Sequence, residues 1–281
     1  MKNTKIPNKL YHYCSLAAFI SIIQNKCIWL SDTKHTNDLQ ETKLVDVAIE
    51  KYLSKTVEEC SGDKICRKDL INYYNAFKTE SYIGCFSKKR DLLSQWRAYA
   101  DDGRGVAVNI NLKKLDVKNE LPYLTDNNKM CFLQKVIYLK SVDINDDNIN
   151  NIFSILSERI DTKKLTDKDL LKIIDELRPY RYFCKNRAFS EEEEWRIIYN
   201  PLVNRYNFEG DMFDKELYKN IKFRSVGNKI ISYFEFPLEN DCINEIILGP
   251  KYCGDIETIK LLLESQNLKN IKISKSKIPY Y

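Results

Sequence analysis

The 281 residues exceed the common length of one domain, but eight glycines and seven prolines leave few candidate linkers, so a single domain over 1–281 is expected. Hydrophobic residues at 43% and charged residues at 30% exclude wholesale disorder. A net charge of +5, from 45 basic and 40 acidic side chains, admits an anionic partner without requiring one.

In chain order, Leu10–Tyr13 reads as a short strand, and Ser15 is placed to cap a helix over Leu16–Lys26. Cys27–Leu30 is a second strand, followed by a polar loop at Ser31–Asp38. Helices are expected over Glu41–Leu53 and Lys64–Phe77. Tyr82–Phe86 is an apolar strand, Leu93–Ala100 a short helix, and Gly105–Ile110 a strand with Val106, Val108 and Ile110 alternating. Cys131–Leu139 reads as another strand and Asp143–Asn151 as a polar connector, before helices near Ile152–Ile160 and Asp167–Leu177. Trp195–Tyr199, Lys229–Phe236 and Asn244–Leu248 complete the strands, with a helix at Ile256–Ser265 and a closing strand at Asn270–Ser274. Strands gather at both ends with helical insertions near 41–79 and 146–182, which points to an α+β fold.

The nine cysteines contain no Cys-x-x-Cys pair, and only His12 and His35 are available to complete a zinc site. Structural zinc needs four convergent ligands in short paired spacings, so no metal is expected and the thiols read as reduced. After Cys14–Ile23 comes Gln24-Asn25-Lys26 rather than a small-residue cleavage pattern, so no secretory leader is expected. No stretch approaches the roughly 20 apolar residues of a membrane span. A cytoplasmic protein without a membrane partner is the resulting expectation. Walker A, His-Glu-x-x-His and Gly-x-Ser-x-Gly sequences are absent, and Gly103-x-Gly105 precedes a strand instead of following one.

Four constellations could carry chemistry. In Tyr11-His12-Tyr13-Cys14-Ser15, Leu10, His12 and Cys14 share one strand face. His12 there is either a half-buried core histidine or a donor to a sugar hydroxyl, and a His12-activated Cys14 nucleophile is a third option. Trp96 and Tyr99, three apart on a helix after Cys85-Phe86-Ser87, form either an aromatic wall or a pair of core side chains. Ser190–Glu194 reads as a capping box with Glu193, or as a strand entry that puts Glu192 and Glu194 on one side of an extended chain. Arg178, Arg181, Tyr182, Lys185 and Arg187 interleave basic and aromatic side chains, as phosphate contact with base stacking requires, or else end a solvated helix.

Taken in order, Tyr11–Ser15, Asn37-Asp38-x-x-Glu41, Cys85–Ser87, Trp96–Ala100, Phe189–Arg196 and Ile246–Pro250 resemble the motifs of a widespread bacterial domain family of uncharacterised function. That family is in turn similar to the ADP-ribosyltransferase superfamily. The resemblance implies a split β-sheet core with inserted helices, and NAD+ as substrate with no metal. It assigns His12 and Ser15 to the nicotinamide-side ribose or phosphate. Ser87 and Tyr99, with Trp96 in the same wall, border the nicotinamide, and the middle motif stays open between Ser87 and Tyr99. Glu194, with Glu192 as its partner, holds the ribose 2′-hydroxyl and stabilises the oxocarbenium ion. It further implies a bacterial toxin or anti-phage effector, with an antitoxin or chaperone as a candidate partner. The basic-aromatic segment suggests an RNA acceptor. Water as acceptor (an NAD+ glycohydrolase) and a non-catalytic nucleic-acid-binding module are the alternatives. The transferase reading requires His12 and Glu194 to share one cleft.

Overall fold

The structure is a computed structural model that describes residues 7–35, 45–51, 74, 81–111, 123–125, 128–139, 180–199, 221–239 and 241–281. Its contacts divide the chain into two units, one of residues 33–81 and 136–190 with the first two residues, the other of residues 3–32, 82–135 and 191–281. The expected insertions near 41–79 and 146–182 fall in the first unit, mostly outside the described residues, as do the helices expected at 64–77, 152–160 and 167–177 and the Asn37-Asp38-x-x-Glu41 motif.

The second unit is built on one mixed sheet of eleven strands. They are β1 (Leu10–Cys14), β2 (Cys27–Asp32), β3 (Tyr82–Ser87), β4 (Val106–Ile110), β5 (Tyr123–Thr125), β6 (Asn128–Lys135), β9 (Glu194–Tyr199), β10 (Ile221–Val226), β11 (Lys229–Pro237), β12 (Ile243–Leu248) and β13 (Lys272–Lys275). Strands β7 (Ile137–Leu139) and β8 (Cys184–Asn186) form a separate parallel pair in the first unit. With helices α1 (Leu16–Asn25), α2 (Leu93–Tyr99) and α3 (Ile256–Ser265), the architecture is α+β, as the segment order suggested. The expected strand at 131–139 is instead two, β6 and β7, and β10 has no counterpart in the expected series.

The main path runs β10-β11-β2-β3-β1-β4-β12-β13, antiparallel except between β12 and β13. β3 has three neighbours. On one edge it meets β9 along its whole length; on the other it pairs with β2 through Tyr82 and Ile83 and with β1 through Ser87. The sheet therefore forks along β3, with β2 and β1 as its prongs. Gly84 lies at the fork, where a Cβ would stand 2.5 Å from the Leu30 side chain.

One face of the sheet is the apolar core. Leu10, Cys14, Phe86, Val106, Val108, Trp195, Ile197 and Phe234 all belong to it. Helix α1 closes it with Phe19, Ile22 and Ile23, spaced to make one helical stripe, and α3 adds Ile259 and Leu263. Ser15 caps α1, its Oγ accepting from the Ala18 N–H at 3.3 Å, as its position predicted. The helix ends at Lys26, whose φ of 50° is left-handed. The opposite face carries Tyr11, Tyr13, Ala107 and Ile247, with Trp96 of α2 packed over them.

Candidate functional site

The register between strands assigns every side chain to one of these faces. Glu245 pairs with Asn109, Asn109 with Tyr11, Tyr11 with Ser87, and Ser87 with Glu194. Paired residues project to the same side of a sheet, so these five polar side chains form one row across β12, β4, β1, β3 and β9. Four strand spacings make the row about 19 Å long. All five residues are buried, none more than 5% exposed. A row of buried polar groups is costly unless each is bonded, and its presence on the face opposite the apolar core marks it as the candidate site.

Both ends hold a carboxylate clamped by an arginine. Glu194 accepts from Arg196 through both oxygens, at 2.7 and 3.1 Å, and both side chains are buried. At the other end, Glu245 accepts from Arg90 Nη2 at 2.9 Å and Nε at 3.3 Å, with Lys272 3.6 Å away. Burial pushes Glu245 toward the neutral acid, but the bond and charge of Arg90, with Lys272 and Lys9, outweigh it and hold the carboxyl below its ordinary range. Tyr11 donates toward Glu245 at 3.5 Å, and burial together with that carboxylate pushes its phenol pKa up. Asn109 donates to the Leu10 carbonyl at 3.3 Å, while its buried Oδ1 has no partner. Ser87 donates to the Glu192 carbonyl at 2.5 Å and accepts from the Lys89 N–H at 2.9 Å, which ties the end of β3 to the entry of β9.

His12 lies on the other face. Its neighbours Leu10 and Cys14 belong to the apolar core, and its ring packs 5.6 Å from Phe86 in that core. The expected convergence of His12 with Glu194 does not form, because Glu194 is in register with Tyr11 rather than His12. At the fork, His12 Nδ1–H donates to the Cys85 carbonyl at 3.0 Å, so the imidazole satisfies a backbone group of β3 between its two prongs. Loss of water lowers the His12 pKa more than that bond raises it. The fold thus favours the neutral ring. This contribution to stability is complete above the unfolded-state pKa of about 6.5 and is lost as pH falls below it. The thermal midpoint of the wild type is expected to drop through that window, and that of His12→Gln to drop less; parallel melting curves from pH 8 downward check this.

The remaining expectations divide. Cys14 is buried and its thiol is pushed up to about 12, so it supplies no thiolate to His12. Trp96 is fully buried, bonded through Nε1–H to Asp91 at 2.7 Å and set edge-on to Tyr13 at 4.8 Å, whereas Tyr99 is 38% exposed. They form no common wall, since α2 turns one into the core and the other to its rim. Glu192 and Glu194 do not alternate along one extended strand either. Glu192 ends a 3-10 turn over Arg187–Glu192, Glu193 has a left-handed φ of 42°, and the strand begins at Glu194. The segment does enter a strand, at Glu194, but the strand entry that would set Glu192 and Glu194 on one side of an extended chain does not form, and neither does the capping box. Ser15 has its oxygen committed to the α1 cap.

The basic-aromatic segment lies in the first unit, and three of its described residues are drawn inward. Arg181 is held by Asp46 at 2.9 Å, Tyr182 is buried, and Lys185 is buried over the Phe189 ring at 4.8 Å. Arg187 is exposed, and Arg178 lies outside the described residues. No metal-holding group of His, Cys, Asp or Glu and no disulfide occurs among the described residues. No described helix is long and apolar enough to cross a membrane.

Residues 95–197 match a family described as "Protein of unknown function (DUF2971)". That segment holds Trp96–Ala100 and Phe189–Arg196, and of the polar row it includes Asn109 and Glu194 but not Tyr11, Ser87 or Glu245. No curated protein and no solved structure matches the chain.

Sequence patterning had singled out Ser87 and Glu194 but not Tyr11, Asn109, Arg196 or Glu245. The signal for the last three was a polar residue interrupting an apolar run, in Val-Ala-Val-Asn-Ile, Glu-Trp-Arg-Ile-Ile-Tyr and Ile-Asn-Glu-Ile-Ile-Leu.

Proposed function

We propose that the chain is an NAD+-consuming ADP-ribosyltransferase whose reacting carboxylate is Glu194. The cleft that this reading required His12 and Glu194 to share does not form, so the proposal departs from that expectation and rests on Tyr11 and Ser87 beside Glu194 instead. What carries the reading is the cross-strand row that sets a carboxylate, a serine hydroxyl and a phenol side by side on adjacent strands. The forked sheet also agrees with the split core that the motifs imply. In the reaction, the bond between nicotinamide N1 and ribose C1′ breaks and its electron pair leaves with nicotinamide. Glu194 stabilises the positive charge left on the sugar, and the acceptor's nucleophile adds to C1′ and loses its proton. Arg196, which neutralises Glu194 at rest, becomes the counter-charge for the pyrophosphate once the ribose takes the carboxylate.

The acceptor is the open choice between macromolecule and water. A toxin or anti-phage effector that labels RNA needs an available basic surface. The commitment of Arg181 to Asp46 and the burial of Lys185 favour hydrolysis as the second reading. Incubation with NAD+ labelled in the adenylate half, with and without total RNA or lysate, separates the two. Label on a macromolecule is expected for the transferase, and loss of NAD+ without labelling marks the hydrolase. Glu194→Gln is expected to lower turnover by roughly 10²–10³-fold. Unchanged NAD+ in the wild type, or turnover by Glu194→Gln equal to it, removes the proposal.

A further inference from the structure

The edge of the sheet at β13 carries a second feature that owes nothing to the polar row. Strand β13 ends the main path and pairs with β12 alone, in parallel. Register puts Lys272 and Ser274 beside Glu245 and Ile247 on the polar face, and Ile273 and Lys275 beside Ile246 and Leu248 on the other. The Ser276 N–H donates to the Leu248 carbonyl at 2.8 Å, so the main-chain groups of Ser276 and of alternate residues before it turn toward β12. Those of Ile273 and Lys275 turn outward, where no described strand meets them.

Beside this open edge, α3 leaves a groove of about 780 Å³. Ile256, Lys260 and Leu263, four and three apart on the helix, form one wall, and Ile271 and Ile273 form the other. Leu263 is buried, Ile271 and Ile273 are half-buried, and Ile256 is exposed. Charge divides between the two walls. On the helix, Lys260 bonds Glu257 at 2.7 Å and Glu264 lies one turn further, so that rim holds no excess of cations. On the strand side, Lys269 precedes the two isoleucines and Lys275 follows them. Both lysines are exposed, and neither has an ion-pair partner among the described residues.

We propose that this groove docks an extended acidic segment of a partner protein, which adds a strand to β13. The outward main-chain groups of Ile273 and Lys275 bond the added backbone, and its alternate side chains enter the groove. Two apolar side chains cover Ile271 and Ile273, and a carboxylate on either flank meets Lys269 and Lys275. A second copy of this chain is a poorer occupant, because pairing β13 with itself crowds Lys272 and Lys275 of both copies along one short strand. A nucleic-acid backbone is disfavoured by Glu257 and Glu264 along the helix. None of the row's residues takes part, so the inference stands apart from the transferase reading.

The test is the fluorescence anisotropy of a labelled Glu-Thr-Val-Thr-Val-Thr-Glu peptide titrated with the full chain. In an extended peptide the valines and end glutamates share one face, and the sequence reads the same in both directions. Saturable binding is expected in the wild type, weakened roughly fivefold in Lys275→Glu and unchanged in Lys229→Glu, an exposed lysine on β11. A peptide ending in lysines, Lys-Thr-Val-Thr-Val-Thr-Lys, is expected to bind Lys275→Glu better than the wild type. N-methylation of the Val-Thr-Val core is expected to abolish binding, because it removes the amides of an added strand and leaves the charges. Absence of saturation at millimolar protein overturns the proposal, as does wild-type affinity in Lys275→Glu, equal loss in Lys229→Glu or full affinity of the N-methylated peptide. Displacement by a single-stranded oligonucleotide would assign the groove to nucleic acid, and dissociation of a dimer by the peptide would assign it to a second copy; either overturns it too.

Discussion

Replacing Arg196 with methionine is expected to destabilise the protein by about 3–5 kcal/mol, the usual consequence of stranding one partner of a buried ion pair. Glu194 and Arg196 stand two apart on β9, so their side chains leave the sheet on the same face and meet without any loop between them. With both buried, the charge left behind has no water to return to. Methionine fills most of the volume, so the loss reports charge rather than a cavity. The double replacement Glu194→Leu with Arg196→Met is expected to recover most of it, because a packed apolar pair replaces the ion pair without an uncompensated charge. Urea unfolding followed through the emission of the neighbouring Trp195 measures both. A single variant as stable as the wild type would mean that the pair is not buried as described.

Gly105→Ala is expected to cost about 3 kcal/mol or more, from overlap that no rotamer can relieve. A Cβ on Gly105 would stand 2.1 Å from the Cys14 carbonyl oxygen and 3.0 Å from that of Ala100, both backbone atoms. The same crossing brings Gly249 so close that its Cβ would meet the Gly103 carbonyl oxygen at 2.2 Å, and the Gly249 N–H donates to Gly105 at 2.9 Å. Gly103 adds a φ of 85° there. Three glycines thus let the turn after α2, the start of β4 and the end of β12 pass each other at backbone distance. The effect is expected to propagate to the row, since β4 carries Asn109 and positions β1. A thermal midpoint within a degree or so of the wild type would contradict the close approach.

Much of the scaffold was legible in the sequence. Alternation of Val106, Val108 and Ile110 marks a strand that the fold contains, the strand expected at Lys229–Phe236 is there as well, and the Ser15 cap is legible because capping is local. β10 escaped because its Ile-Lys-Phe-Arg-Ser-Val leaves Phe223 and Val226 exposed and so lacks a clean buried face. The site was half legible. Ser87 and Glu194 were both expected at the site, and they pair directly across β3 and β9. What single-chain reading lacks is register. Whether Glu194 shares a face with Tyr11 or with His12 turns on a shift of one residue between strands far apart in sequence, and nothing within Tyr11–Ser15 or Phe189–Arg196 encodes that shift. The left-handed Glu193 breaks the alternation on which the pairing of Glu192 with Glu194 rested. Nor does the basic-aromatic segment carry any sign of its ion pair, as the partner of Arg181 is Asp46, 135 positions earlier in the chain.

Nicotinamide release from NAD+, measured side by side for the wild type, Glu194→Gln and His12→Gln, bears most directly on the claim that the reacting group sits on the polar face. Release by the wild type, retained in His12→Gln at a temperature where both are folded and lost in Glu194→Gln, is the predicted pattern. Loss in His12→Gln with Glu194→Gln still active, or no release by the wild type, would contradict it.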